Sequence, residues 1–167
     1  MMELHTPISE EDIEKLRIKD VISLSGNIFC GRDAVLPLIV SDLMKDGGSY
    51  SLQGGVIFHT AVSCAGVGPT SSNKLEIENS MIPLSKMGGV KIHLGKGAIK
   101  QETVDGLADN HAIYAILPPV TALLSKKTKG IRCIAYPELG MEAFYCIEAD
   151  NFPAIIAAAN GESIYDE

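Results

Sequence analysis

The chain has 167 residues, an apolar fraction of 46% and a formal net charge of −7. This length fits one domain over residues 1–167, and a domain of this size can build its core without disulfides or metals. The acidic balance argues against nucleic-acid binding, which needs a basic face. No apolar run is long enough for a secretory signal or a membrane span, so we expect a cytoplasmic protein with no membrane contact.

The first part of the chain predicts a short helix and then extended structure. Ser9 can cap the helix, and Asp12, three residues later, can complete a capping box. Residues 21–25 alternate as a strand, Gly26-Asn27 is typical of a turn, and residues 28–30 resume extended structure.

The middle of the chain alternates strands and helices, a pattern that favours a parallel sheet. Asp33 is the expected N-cap of the first helix in this part. The predicted elements are a helix over 34–45, strands over 56–60 and 62–67, a helix that ends at Gly88-Gly89, a strand over 90–94, a helix over 101–109, a strand over 112–117 and a short helix opened by Pro118-Pro119.

The last part predicts antiparallel strands and a closing hairpin. Asn160-Gly161 between two apolar runs indicates the hairpin, and the basic run at 126–129 is interpreted as a solvated turn. The strands are expected at 131–136, 144–149, 154–159 and 163–165. The whole pattern predicts an α/β fold whose mixed sheet has a central parallel region with antiparallel additions.

The four cysteines occur singly, with no CxxC pair among them. This spacing argues against a zinc site and against a disulfide framework. Cys133 and Cys146 alternate with polar residues inside strand-like runs, so we interpret both as core residues.

Three glycine-bordered segments each follow a predicted strand and precede a helix. Ligands of open α/β sheets bind beyond the carboxyl ends of strands, where helix N-termini also attract anions. Arg32, Lys74 and Lys96 are therefore expected to converge on carboxylates or phosphates. The segments are Cys30-Gly31-Arg32-Asp33, Gly68-Pro69-Thr70-Ser71-Ser72-Asn73-Lys74 and Leu94-Gly95-Lys96-Gly97.

The usual catalytic patterns are scarce in this sequence. Ala98 follows Gly97, so the full phosphate-binding loop pattern is absent. His59 ends a predicted strand, where it could either face a site or be a satisfied core histidine. The candidate residues offer cations and a threonine but no metal ligands or acid, which points to a site that another chain completes.

In this order and spacing, the segments resemble the C-terminal part of class I, iron–sulfur-dependent fumarases. In two-subunit relatives, such as the L(+)-tartrate dehydratases, that part is a separate beta subunit of similar size. The resemblance covers nearly the whole chain. Its motifs are Thr6-Pro7-Ile8, Gly31-Arg32-Asp33, Ile57-Phe58-His59, Gly68-Pro69-Thr70, Gly95-Lys96-Gly97, Glu138-Leu139-Gly140-Met141 and the final hairpin.

The resemblance implies a swivelling β/β/α domain in the beta subunit of a hydro-lyase. Such an enzyme reversibly dehydrates a small 2-hydroxydicarboxylate, of the fumarate/malate or the tartrate/oxaloacetate pair. The family's catalytic threonine falls on Thr70, which would remove the C3 proton, and its substrate-binding cations fall on Arg32, Lys74 and Lys96. His59, Asp33 and Ser71 are further candidates for this site.

The resemblance also implies a partner. In the family, three cysteines of the other subunit or domain hold a 4Fe–4S cluster whose open iron acts as a Lewis acid. This chain would then hold no metal and would be active only with an alpha subunit, as a hetero-oligomer. A homodimer of the isolated chain is an alternative.

Two other interpretations remain open at this stage. The chain could be a non-catalytic or degenerate module of the same fold that binds a small anion. It could instead carry its own cluster on Cys30 and Cys64. The departures from the family pattern are Leu36 in place of a histidine, Lys74 in place of an arginine, His59-Thr60-Ala61-Val62 in place of HAGP, and a missing proline after Met141.

Overall fold

The computed structural model describes residues 2–45, 51–60, 62–63, 66–67, 74–95, 97–117 and 126–165. Strands and helices alternate through the middle of the chain, and long strands flank that region. The elements are β1 (Met2–His5), α1 (Glu10–Glu14), β2 (Val21–Cys30), α2 (Leu36–Lys45), β3 (Val56–Phe58), β4 (Val62–Ser63), β5 (Gly66–Val67), α3 (Lys74–Gly88), β6 (Ile92–Gly95), α4 (Gln101–Asp109), β7 (Ile113–Ile116), β8 (Thr128–Ala135), a 3₁₀ helix (Pro137–Glu142), β9 (Phe144–Ala159) and β10 (Glu162–Ser163).

Five of the described strands form a closed ring. β2, β3, β6 and β7 pair in parallel in that order, and β9 pairs antiparallel with both β7 and β2. β1 extends the parallel part beside β2, while β8 and β10 add antiparallel pairings to β9. The prediction of a mixed sheet with a central parallel region is confirmed. Its assignment to the swivelling-domain class stays a prediction.

The turn predicted at Gly26-Asn27 is wrong, because β2 continues through it. The pairing of β2 with β9 shifts register between Leu24 and Gly26, and Gly26 has a φ of 104°. A Cβ at Gly26 would lie 2.3 Å from Oγ1 of Thr6. β2 thus passes through Gly26 without ending, next to a bulge whose extra residue lies in β9, where Asp150 and Asn151 together oppose Ser25.

Two other predicted elements differ from the structure. α2 begins at Leu36, two residues late, because Pro37 has no N–H to donate to the carbonyl of Asp33. The strand predicted over 62–67 is two short strands, β4 and β5, that pair with each other antiparallel. The short helix predicted at Pro118-Pro119 lies outside the described residues.

The C-terminal part contains one long strand where two were predicted. β9 runs without interruption from Phe144 to Ala159, and Asn160 and Gly161 then adopt φ angles of 54° and 81°, which confirms the hairpin. The basic run is not a simple turn, since Thr128 already pairs with Ala149 in β8.

Aliphatic side chains and two phenylalanines fill the interior of the ring. Phe58 and Phe152 meet there edge to face, with centroids 6.5 Å apart. Alternate residues of the ring strands face the helices instead, as Ile57 does in β3, where it packs with Leu36 and Leu84. The ring and its outer helical layer are thus built from opposite faces of the same strands.

The cysteine interpretation holds for one residue and fails for the other. Cys146 is buried in β9, as predicted. Cys133 is exposed, because β8 pairs with β9 alone among the described strands and none of its residues is buried.

The predicted helix ends are confirmed where local capping decides them. Ser9 and Asp12 form the expected capping box of α1. α4 spans the predicted Gln101–Asp109. At its first turn the Lys100 amide and the Thr103 hydroxyl donate hydrogen bonds to the carboxylate of Glu78, a distant residue that the sequence did not indicate as a cap.

No helix in the described part of the chain is long and apolar enough to span a membrane.

Because β9 contributes both buried and exposed residues, two substitutions in it are expected to differ strongly in their effect on the free energy of unfolding. Phe152→Ala is expected to lower the free energy of unfolding by about 3–5 kcal/mol, because Phe152 is fully buried. Ile155→Ala, at a site that is 42% exposed, is expected to cost about 1 kcal/mol or less. Urea unfolding of both variants measures this, and equal losses would contradict the placement of the core.

Candidate active site

Three parallel neighbours of the ring end at the same edge. Cys30 at the end of β2 is the register partner of Phe58 at the end of β3, and Phe58 pairs in turn with Leu94 near the end of β6. The residues that follow these strands therefore lie side by side, in the position where open α/β sheets bind ligands. We call this the carboxyl edge.

Arg32 lies at the carboxyl edge directly after β2. The Gly31 amide donates to the carbonyl of Phe58 at 3.1 Å, which ties this segment to the end of β3. A Cβ at Gly31 would lie 2.8 Å from Cγ1 of Val35, so a larger residue would displace the segment. Asp33 lies in the turn that connects Arg32 to α2.

The guanidinium of Arg32 forms an ion pair with the carboxylate of Glu142. Nη2 contacts Oε2, and Nε donates to Oε1 at 3.4 Å, so the pair is a fork of two hydrogen bonds. Both side chains are partly buried. A ligand carboxylate that reaches Arg32 thus meets a cation that already holds an anion.

Glu142 is a residue of the site that the sequence analysis missed. It ends the 3₁₀ helix and follows Met141, the position after which the expected proline is missing. That departure was the available signal, because it replaces a residue with no charge by one that can pair with Arg32.

Three buried side chains form a hydrogen-bonded row that we call the histidine chain: Ser85 in α3, His93 in β6 and His59 after β3. Nε2 of His59 lies 3.1 Å from Nδ1 of His93, and Nε2 of His93 lies 2.9 Å from Oγ of Ser85. The amide of His59 also donates to the carbonyl of Leu94 at 3.0 Å. His59 is therefore fixed in both backbone and ring.

Both rings of the histidine chain are neutral at neutral pH. Burial lowers the pKa of His59 from 6.5 to about 3. Burial, and then the neighbouring ring of His59, hold the pKa of His93 well below 6.5. The sequence left His59 undecided between a site residue and a core residue, and it gave no indication of the contact with Ser85.

The remaining predicted site residues can be placed only in part. Lys74 begins α3, directly after the hydroxyl-rich segment. Thr70, Ser71 and Lys96 lie outside the described residues. The structure thus brings Arg32 and His59 to one edge, and the convergence of the others on that edge stays a prediction.

The described side chains do not fit an iron–sulfur cluster. Within the described ranges, no group of three His, Cys, Asp or Glu residues is arranged to hold a metal ion. Cys30 is fully buried in the apolar interior of the ring, where burial raises the pKa of its thiol and disfavours the thiolate that a cluster binds. Cys64 lies outside the described residues.

Comparison of the sequence with known proteins identifies its family. The model of the family described as fumarase C-terminus matches residues 1–167. The chain belongs to the fumarase C-terminus family. Its relatives include the L(+)-tartrate dehydratase subunit beta of Escherichia coli K12, which is 30% identical over 93% of this chain and 81% of that protein.

Two other relatives differ in how much of their own length the chain matches. A Methanocaldococcus jannaschii protein, provisionally named L(+)-tartrate dehydratase subunit beta, is 28% identical over 96% of this chain and 89% of its own length. The anaerobic class I fumarate hydratase of Escherichia coli K12 is 29% identical over 93% of this chain but only 30% of its own length. The chain thus spans most of the beta subunits and under a third of the fumarate hydratase.

The neutral histidines predict a loss of stability in acid. Because the folded pKa of His59 lies below its ordinary value, the unfolded state binds more protons below pH 6.5, and stability falls as the pH drops from 6.5 toward 3. Each buried histidine contributes a slope of up to about 1.4 kcal/mol per pH unit. Urea unfolding between about pH 7 and pH 5 measures the slope.

A pair of variants isolates the histidine contribution from that of the carboxylates. His59→Gln is expected to reduce the slope, and the same substitution at the exposed His5, His5→Gln, is the matched control. An identical slope in wild type and His59→Gln would show that His59 accepts protons freely in the folded protein.

Proposed function

We propose that this chain is the beta subunit of an iron–sulfur-dependent hydro-lyase that reversibly removes water from a small 2-hydroxydicarboxylate. The observation that carries the proposal is the carboxyl edge, where the ends of β2, β3 and β6 lie in that order. The Arg32 segment is therefore next to His59, and His59 is next to Gly95, the residue before Lys96. Relatives named tartrate dehydratase and fumarate hydratase support the same reaction class.

In this proposal Thr70 is the base that removes the C3 proton of the substrate. A threonine hydroxyl is a poor base in water, so it needs nearby positive charge to stabilise its alkoxide. Lys74 and Lys96 supply that charge, and they also stabilise the negative charge that develops on the substrate carboxylate. The cations that bind the substrate therefore also lower the barrier to proton removal.

Arg32 binds and orients one substrate carboxylate. Its planar guanidinium suits a carboxylate better than an ammonium does, and oriented binding removes much of the entropic cost of the reaction. Glu142 holds the guanidinium in place through two hydrogen bonds. The carboxylate of Glu142 also partly neutralises the charge of Arg32. The ion pair therefore affects which anions bind at this position.

The proposal includes a partner alpha subunit that carries a 4Fe–4S cluster. Two observations support a partner: the relatives that this chain matches over most of their length are named as beta subunits, and the matched fumarate hydratase is more than three times as long as the matched region. The substrate is a malate-type or a tartrate-type hydroxy acid, in line with the names of the two groups of relatives.

One observation favours a second candidate function, a non-catalytic module that binds a small anion. Arg32 already pairs with Glu142, and Lys74 offers a point charge where a guanidinium would form a fork. A module of this kind would bind dicarboxylates and have no turnover with any partner.

Thr70→Ala is expected to lower kcat of the complex with its partner by at least about 100-fold, the range typical for loss of a general base. The measurement is steady-state dehydration of malate and of tartrate. Thr70→Ser is the matched control, since it keeps the hydroxyl and is expected to retain most of the activity. Substantial turnover by Thr70→Ala would rule out Thr70 as the base.

Arg32→Ala is expected to raise KM about 10-fold or more with a smaller effect on kcat, because it removes a charge-assisted contact to the substrate. Glu142→Gln keeps the shape of the side chain that pairs with Arg32 but removes its charge. Because Arg32 is then less neutralised, KM is expected to equal that of the wild type or to be lower. An unchanged KM in Arg32→Ala would contradict the role of Arg32 in substrate binding.

A further inference from the structure

The histidine chain leaves one atom without a partner. Nδ1 of His59 is the only buried side-chain nitrogen or oxygen in the described part of the protein that makes no hydrogen bond, and the residue is only 5% exposed. Buried polar atoms are nearly always paired, because an unpaired one has lost its hydrogen bonds to water without gaining others. The exception therefore requires an explanation.

The tautomers of the two rings follow from their partners. The backbone carbonyl of Met81 favours the protonated ring of His93, and Met81 lies one helical turn before Ser85, whose Oγ contacts Nε2. We therefore assign the proton of the neutral His93 ring to Nε2. In a neutral ring Nδ1 of His93 is then bare and accepts from Nε2 of His59. Nδ1 of His59 is thus a bare lone pair that can only accept.

The open end of the histidine chain lies at the carboxyl edge. The chain starts at Ser85 in the outer helical layer and continues to His93, whose register partner is Ile57 within β3. It ends at His59, beyond the last residue of β3. Because the two nitrogens of an imidazole point away from each other, Nδ1 of His59 points away from His93.

We propose that Nδ1 of His59 accepts a hydrogen bond from a hydroxyl group at the carboxyl edge and thereby positions that hydroxyl for reaction. A bare neutral nitrogen calls for a donor, and the chain places Thr70, Ser71 and Ser72 in the segment between His59 and α3. The donor is either one of these side chains or the hydroxyl of the bound 2-hydroxydicarboxylate. The second source rests on the proposed function.

Two amide substitutions separate this role from a purely structural one. In His59→Asn the short amide places an acceptor near the position of Nδ1, and Nδ1 of His93 loses its partner while Nε2 of His93 keeps its contact with Ser85. In His59→Gln the longer amide reaches the position of Nε2, keeps the contact with His93 and loses the outward acceptor. A positioning role predicts that kcat of the complex with its partner falls at least about tenfold in His59→Gln and less in His59→Asn.

The split between kcat and KM identifies the source of the hydroxyl. If the donor belongs to this chain, kcat falls in His59→Gln while KM is unchanged. If the donor is the substrate, KM rises as well. If His59→Gln retains full activity and His59→Asn loses it along with stability in urea, His59 only satisfies His93 and the proposal is overturned.

Nitrogen-15 NMR of the imidazoles tests the same inference without enzymatic activity. The expected spectrum shows Nδ1 of His59 unprotonated and shifted by a hydrogen bond, and this shift is lost in Thr70→Val, Ser71→Ala or Ser72→Ala, or appears only when malate or tartrate is added to the complex. A protonated Nδ1, or a resonance that none of these changes moves, overturns the proposal. A complex that shows the hydrogen bond but no dehydration would reject the hydro-lyase proposal alone.

Discussion

The architecture depends on the antiparallel pairing of one strand, β9, with both β2 and β7. These two contacts convert a row of four parallel strands into a closed ring, so that their inner faces bury a shared apolar core. Within the ring, the parallel pairing of β2, β3 and β6 places their carboxyl ends at one edge. The candidate site is a consequence of this pairing, since Arg32 and His59 come from segments far apart in the sequence.

The edge combines two kinds of electrostatic environment. Arg32 and Glu142 form a partly buried ion pair, where the guanidinium keeps its charge and the carboxylate fixes its position. The histidine chain, which ends at the same edge, is buried and neutral, because burial holds the pKa of both rings low. A fixed cation and a neutral acceptor at one edge suit an anionic ligand that also carries a hydroxyl group.

Local chemistry explains which parts of the fold could be predicted from the sequence. The capping box at Ser9 and the hairpin at Asn160-Gly161 need only neighbouring residues, and both are confirmed. Gly26-Asn27 carries a similar glycine signal but lies within a continuous strand opposite a bulge of β9, because β9 pairs with β2 on both sides of it. Cys133 and Cys146 share one sequence pattern, and only the position of β8 at the edge of the sheet separates them.

The candidate site was predictable to the same limited degree. Arg32 follows a strand and precedes a helix, so its place at the carboxyl edge could be predicted from order alone. Its pairing with Glu142, 110 residues later, depends on the tertiary fold. The link between His59 and His93 likewise depends on the register of β3 and β6, which no single segment specifies.

The most direct test of the account is to isolate the protein from an anaerobic extract of its source and assay what comes with it. The account predicts a bound, brown, cysteine-containing partner and a complex that dehydrates malate or tartrate. A chain that is isolated alone and colourless, and that acquires no dehydratase activity from any fraction of the extract, would contradict the assignment as a hydro-lyase beta subunit.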